Sequence, residues 1–238
     1  MSHPNNKVSS SSVDNQEIEL IVGNSSSNFS GVTSTMLQVT SLQKHMINLR
    51  IMGKHFVPDP SMTITFWEVA KMCRRPLSNG KWRIFHARRV DEMIQGVILK
   101  YVFRAKIKLV FSSAAQRKRS ASTVWLSNKM DAVIAMSNRS AKYLNKPPAK
   151  INLHGVQIDN YTPAENKQEA WQALGYGGKY GIGILGRVRE QKGVHLFVEA
   201  CIKVLPKYPD VNAVVVGAIS SSNQEFVNEL KEKVSRAG

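Results

Sequence analysis

Cysteine is almost missing from this sequence: Cys73 and Cys201 are the only two in 238 residues, and no CxxC occurs. That excludes a disulfide framework and a cysteine-bound zinc, and makes a reducing cytoplasm the expected setting. Long apolar runs are absent too. None reaches the length of a membrane span, and residues 1–15 are polar and serine-rich without the apolar segment of a secretory signal, so any membrane contact is expected to be peripheral. Acidic residues are scarce, 17 against 33 lysines and arginines, which leaves a formal charge of +16. Such a surface suits a polyanion, an anionic membrane or a phosphorylated substrate. No D-x-D triad and no His, Cys or carboxylate cluster at metal-ligand spacing is present. A phosphate ligand would have to be met by protein cations, and a metal-independent site is expected.

What is present is ordinary globular material, 42% hydrophobic, organised as strand, loop, helix. Strand patterns at 17–22, 49–57, 82–86, 108–112 and 131–137 alternate with helical ones at 32–45, 63–73 and 91–105. In the last of these, Ile94, Val97, Ile98, Tyr101, Val102 and Ala105 keep helical spacing and predict one apolar face, with Asp91 and Glu92 at the start suiting the helix dipole. Repeated alternation with short connections predicts an α/β fold, a parallel sheet with helices on both faces. Polar residues, Pro163 and the cluster Gly175-Tyr176-Gly177-Gly178 then interrupt the pattern, with a short helix expected at 167–174. Two more strand-helix units follow: strand 180–185 with helix 194–205, and strand 212–217 with helix 223–235. Two strands are too few for an independent parallel domain, so the second domain is expected to be truncated.

The most telling motif is Gly186-Arg187-Val188-Arg189-Glu190-Gln191-Lys192-Gly193, set between strand and helix. Free N–H groups at the helix start, two glycines and the cations Arg187 and Lys192 predict a diphosphate cradle. The preceding Gly181-Ile182-Gly183-Ile184-Leu185-Gly186 matches a dinucleotide fingerprint only formally. Its first two glycines fall within the strand, and no acidic residue ends the next one. A P-loop is excluded because Gly193, not Ser or Thr, follows Lys192.

In the first half, His86-Ala87-Arg88-Arg89 occupies the equivalent place after a strand. The histidine could serve as a base or hold a hydroxyl, and the arginines could clamp an anion or pair with Asp91 or Glu92 on the surface. The loop Asn28-Phe29-Ser30-Gly31-Val32-Thr33 predicts a glycine turn with Thr33 as helix cap. Lys100, Arg104, Lys106, Lys108, Arg117, Lys118 and Arg119 read as a solvated basic surface able to meet an anionic partner.

With these motifs in place, the chain resembles glycosyltransferases of family 4. Ser30-Gly31-Val32-Thr33 is similar to that family's N-terminal glycine loop, Asp131-Ala132-Val133-Ile134-Ala135-Met136-Ser137 to its Asp-Ala-x-Ile-x-x-Ser strand, and Gly186-Arg187 with Gln191-Lys192-Gly193 to its donor loop. His154-Gly155-Val156 with Tyr161-Thr162-Pro163 resembles the family's Asn-Gly-Val-Asp to Phe-x-Pro segment, His154 standing for the asparagine. His86 to Arg89, Glu92-Met93 and the segment 108–117 resemble the lipopolysaccharide core mannosyltransferases in particular.

The resemblance implies a GT-B fold of two Rossmann-like parallel-sheet domains, the C-terminal one truncated: a disordered leader at 1–17, an acceptor-side domain at 18–160, a linker at 161–178 and a partial nucleotide-sugar donor domain at 179–238. It implies a retaining transfer of a hexose, mannose from GDP-mannose, to a Kdo-lipid core acceptor on the cytoplasmic face of the inner membrane. Donor binding would fall to Gly31, Gly186, Arg187, Lys192 and Gly193, acceptor binding to Thr33, His86, Arg88 and Arg89, and catalysis to His86, Arg187 and Lys192. No cofactor is implied beyond the nucleotide sugar. The family's Glu-x7-Glu donor segment is expected beyond residue 238, so residues 1–238 alone are expected to transfer no sugar. A UDP-sugar donor with another acceptor is the alternative within the fold. A nucleic-acid-binding protein is the alternative outside it, and it is disfavoured because the basic residues are scattered with few interleaved aromatics.

Overall fold

The computed structural model describes residues 17–156, 158 and 161–237 and divides into two compact units, Met1–Gln157 and Ile158–Gly238. The leader expected at 1–17 lies outside the described residues except for Glu17, whose carboxylate accepts the Ser78 N–H at 2.7 Å.

The first unit is a seven-stranded, wholly parallel sheet. Its strands are β1 (Leu20–Gly23), β2 (Leu49–Met52), β3 (Thr63–Ile64), β4 (Arg83–Ala87), β5 (Ile107–Ser113), β6 (Ala132–Ala135) and β7 (Lys150–Ile151), in the order β3-β2-β1-β4-β5-β6-β7. The order reverses between β1 and β4, which makes the carboxyl ends of those two strands the switch point where open α/β sheets bind ligands. Helices α1 (Gly31–Gln43), α2 (Phe66–Met72), α3 (Val90–Val97), α4 (Ala121–Asn128) and α5 (Asn138–Ala141) connect the strands.

Local chemistry sets the helix starts. The Ser30 hydroxyl accepts the Thr33 N–H and caps α1, so the cap is Ser30 and not Thr33. Thr65 and Glu68 close a reciprocal capping box on α2. The helix expected at 63–73 therefore begins later, and its first residues pair as the edge strand β3. Strand β2 stops at Met52, short of the expected 57, because Gly53 turns at φ 121° against the backbone oxygen of Asn24, where an added Cβ would lie 2.1 Å away.

One core lies between the sheet and α2, α3 and α4. Ile21, Phe85, Ile107, Leu109 and Phe111 meet Val69, Met93, Leu99 and Leu126 there. On the other face Leu20, Val22, Leu49 and Ile51 pack with Met36 of α1. Burial on both faces explains why β1 is apolar throughout.

The long helix expected at 91–105 is corrected in two ways. The α-helix ends at Val97 and continues as a π turn over Ile98–Val102, closed by the Phe103 N–H to the Ile98 carbonyl at 3.2 Å and by Arg104 in left-handed backbone at φ 54°. The buried face is also shifted: of the six residues expected on it, only Val97 and Ala105 pack into the core. Glu92, Met93, Gly96 and Leu99 point into the core, whereas Ile94, Ile98, Tyr101 and Val102 are exposed. Gly96 explains the choice, since it lets α3 approach so closely that a Cβ there would sit 3.0 Å from Leu109 and Phe85. Lys100 departs from the expected solvated surface, pairing with Asp131 at 2.5 Å while that carboxylate also accepts the Leu109 N–H.

The second unit contains α6 (Lys167–Ala173), β8 (Tyr180–Leu185), α7 (Val194–Val204), β9 (Val211–Val216) and α8 (Gln224–Ala237). Strands β8 and β9 pair in parallel as a two-stranded sheet. Helix α6, within the stretch read as a linker, sets the Trp171 ring directly over Gly181, where any Cβ would collide with it. Val188, Val194, Val198, Val227 and Leu230 form the unit's small core.

The corrected helix face gives a direct expectation. Leu99→Ala should destabilise the first unit by about 2–5 kcal/mol in urea unfolding, and Val102→Ala, at an exposed site, by less than about 0.5 kcal/mol. Equal losses would restore the face read from the sequence.

Candidate functional site

At the switch point of the first unit the organising group is Glu92, a carboxylate fully buried in the first turn of α3. One of its oxygens accepts the N–H groups of Arg88 at 2.7 Å and Arg89 at 3.1 Å. The other accepts the N–H and hydroxyl of Ser25, both at 3.3 Å, and the Arg89 guanidinium at 3.0 Å. The loops after β1 and β4 are thereby tied to one side chain. Arg89 extends the network, donating through Nη2 to Thr33 at 2.8 Å and Ser30 at 3.2 Å. Gly23 is required beside this group, because a Cβ there would lie 2.9 Å from the Glu92 side chain.

The four residues expected on the acceptor side therefore fall into two pairs. Thr33 is fully buried and Arg89 is engaged at both ends within the protein. His86 and Arg88 instead line a cavity of about 390 Å³ on the α1 face of the sheet, together with Ser112, Asn152 and His154. His86 Nε2 lies 2.8 Å from Ser112 Oγ. Burial, helped by the positive charge of Arg88, pushes the imidazole down to about 3, so it is neutral at physiological pH. A neutral imidazole with so depressed a value is a poor proton acceptor but a good hydrogen-bonding group. Burial also lowers the Arg88 guanidinium to about 10, with Glu92 opposing the shift. At Gly31 an added Cβ would meet nothing within 4 Å, so the start of α1 faces open space.

In the second unit the loop after β8 is built from glycine backbone. Gly186 turns at φ 140° and Gly193 at φ 74°, both conformations that side chains disfavour. Between them Val188 is buried as an anchor, while Arg187 and Lys192 are exposed. Gly186 N–H bonds the Val216 carbonyl and Val188 N–H the Ala218 carbonyl, and Gly217 lies so close to Gly186 that no Cβ would fit. Gly193 starts α7 with no side-chain cap. The loop thus carries two exposed cations and leads into a helix start without a side-chain cap, a combination suited to an anion.

No protein-family model matches the chain. Among curated proteins, the lipopolysaccharide core biosynthesis mannosyltransferase LpsB of Rhizobium meliloti (strain 1021) is 38% identical over 228 residues, 95% of this chain and 64% of LpsB. The chain is a relative of the lipopolysaccharide core mannosyltransferases. LpcC of Rhizobium leguminosarum bv. viciae, a mannosyltransferase of the same description, matches at 38% over 227 residues, 94% of this chain and 63% of LpcC. The chain spans just under two thirds of the length of these relatives. Among solved structures, Anabaena Alr3699/HepE in complex with UDP and glucose superposes with a TM-score of 0.65 at 18% identity, covering 93% of this chain and 67% of that one. At that identity the likeness shows the fold alone, an α/β architecture of the GT-B type.

Several residues of this relative of the core mannosyltransferases were not legible as site residues in the sequence. Glu92 read as a surface charge complementing a helix dipole, although Glu92-Met93 took part in the resemblance and its capping-box spacing after Arg89 was a second mark. Ser112 gave no signal before the β4–β5 register set its strand beside His86. Arg119, read as solvated, is half-buried and bonds Ser113. Arg189, in the basic loop, has a buried Nε without a hydrogen-bond partner among the described residues.

The buried imidazole sets a pH dependence. With the His86 value near 3 when folded and 6.5 as its ordinary value, the unfolded chain binds the extra proton between those limits, so this contribution is complete above pH 6.5 and is lost as pH falls toward 3. His86→Asn should flatten that part of the stability curve in denaturant titrations at stepped pH. An unchanged slope would show that the ring is solvated.

Proposed function

We propose that the protein transfers mannose from GDP-mannose, with retention, to a Kdo-bearing lipopolysaccharide core. The observation that carries this is the loop from Gly186 to Gly193, hinged at its two glycines, which bears exposed Arg187 and Lys192 and leads into α7, whose start has no side-chain cap. The descriptions of LpsB and LpcC supply the sugar and the acceptor class. As the sugar–phosphate bond breaks, negative charge grows on the departing diphosphate. Arg187, Lys192 and the α7 N–H groups would stabilise it electrostatically without a metal. Backbone at Gly186 and Gly193 can approach the donor because no side chain intervenes.

On the acceptor side, neutral His86 with Ser112 would hold a sugar hydroxyl by hydrogen bonding, Arg88 would face the acceptor's negative charge, and open Gly31 would leave room for a substrate to approach the backbone. Thr33 and Arg89 would hold this constellation in place. Charge stabilisation in the donor half then carries the chemistry, with positioning by the acceptor half.

A lipid-linked acceptor calls for a protein that works at a membrane surface, on the cytoplasmic face of the inner membrane in this proposal. No helix among the described residues is long and apolar enough to cross a bilayer. The first unit does expose Trp67 and Val102, each 69% accessible, with Tyr101 and Trp125 above 50%. Trp67 stacks edge-on against Phe103 at 5.5 Å, and Lys129 Nζ lies 5.9 Å from the Tyr101 ring and 5.4 Å from the Trp125 ring. Aromatics and lysines side by side suit the headgroup region of an anionic bilayer.

Two measurements test the proposal. Arg187→Ala should weaken GDP binding about tenfold or more in calorimetry, and a variant binding GDP as tightly as the parent would remove the diphosphate assignment. The triple variant Trp67→Ser, Val102→Ser, Trp125→Ser should lose most of the parent's binding to phosphatidylglycerol vesicles in flotation. Undiminished flotation would detach this surface from the membrane.

A further inference from the structure

We infer that a second cavity at the carboxyl edge of the first unit is an oxyanion subsite for the acceptor, with Arg119 as its specificity-determining residue. The cavity, about 510 Å³, is walled by the loops after β4 and β5, where Arg88, Arg89, Arg117, Lys118 and Arg119 gather and no lining residue is acidic. The inference rests on the acceptor assignment proposed above and extends it to the β5–α4 loop.

Two buried donors carry it. Arg88 Nη1 and Arg119 Nε are both shielded from solvent and have no hydrogen-bond partner among the described residues. Buried polar groups are almost always satisfied, and the exceptions in a folded protein call for a missing partner. Glu92 cannot be that partner. Both its oxygens are committed to Ser25, Arg89 and the Arg88 backbone. The cavity lining thus carries four arginines and a lysine with no acidic residue, a charge imbalance that a low-dielectric site resolves by binding an anion.

Arg119 is held as a binding group would be. Its Nη2 donates to Ser113 Oγ, and its guanidinium lies over the Phe111 ring, 5.2 Å from the centroid. These contacts restrict the planar fork and leave Nε unused. Burial lowers both the Arg88 and the Arg119 guanidinium from their ordinary values, a shift that an adjacent negative charge would reverse. The matching ligand is an oxyanion with two accessible oxygens, which a guanidinium grips through parallel N–H groups as a lysine cannot. In a Kdo-bearing lipid acceptor that chemistry has two sources, the sugar-acid carboxylate and a lipid phosphate.

The test titrates the purified protein with free Kdo, the uncharged Kdo methyl ester and inorganic phosphate in calorimetry, for the parent, Arg119→Lys and Arg119→Gln. Thermal melts check that each variant folds, and the glutamine variant decides if the lysine variant does not. The expected result is that Kdo or phosphate binds the parent and binds the variant about tenfold more weakly, while GDP affinity is unchanged. Binding of Kdo but not its ester assigns the carboxylate, and binding of phosphate alone assigns the lipid phosphate. Equal binding by parent and variants, equal binding of Kdo and its ester, or binding of neither anion would overturn the subsite. A protein that still binds Kdo through Arg119 but binds no GDP would instead remove the proposed function and leave the subsite standing.

Discussion

The first unit depends on a carboxylate that has been taken out of water. Burying Glu92 is costly unless nearly every acceptor position on it is filled, and the protein fills them with N–H groups from two loops, a hydroxyl and a guanidinium. The loops after β1 and β4 consequently have one arrangement in which that carboxylate is satisfied. Arg89 passes the constraint to Ser30 and Thr33 at the start of α1. Rigidity at the switch point is thus electrostatic in origin, and the apolar core beneath supplies the dry environment that makes it strong.

The second unit reaches a cationic loop by a different route. No buried ion pair fixes the segment from Gly186 to Gly193 among the described residues; backbone geometry does. Two glycines in left-handed conformation, an anchoring Val188 and hydrogen bonds to the end of β9 set its path. Arg187 and Lys192 remain at the surface, where an anion can reach them without a large desolvation cost before it binds. Arg88 and Arg119 sit lower, already partly dehydrated. The two units differ accordingly in how their positive charge is offered, one readily exchanged with solvent and the other held in reserve.

The alternation of strands and helices was legible because β-rich apolar runs and helical spacing are local properties, and seven of the nine strands among the described residues fall where the sequence puts one. Thr63–Ile64 and Lys150–Ile151 were not, since two-residue edge strands leave no periodicity to read. The α3 face was read correctly only at Val97 and Ala105, for a specific reason. Apolar side chains occur on two sides of that helix, and Gly96, which contributes no hydrophobicity, selects the buried one by permitting close approach to Phe85 and Leu109. The cationic loop from Gly186 to Gly193 was visible because glycines and cations lie together in the sequence. The Glu92 network was not, because its partners come from positions as far apart as Ser25 and Arg89, and only the fold brings them together.

That separation in sequence bears on how the unit folds. Strand β1 sits between β2 and β4, and its pairing with β4 joins residues such as Leu20 and Ile84 across a long loop. Parallel pairings of this kind form slowly, because loop closure must precede the contacts that reward it. Neither the Ser25–Glu92 contact nor the cavity walls beside it can exist before β1 has docked. A ligand captured at this edge therefore recognises only chains whose sheet is complete, and by mass action it draws the folding equilibrium toward them. Ligand supply and the survival of newly made protein would then be linked through the same handful of buried polar bonds.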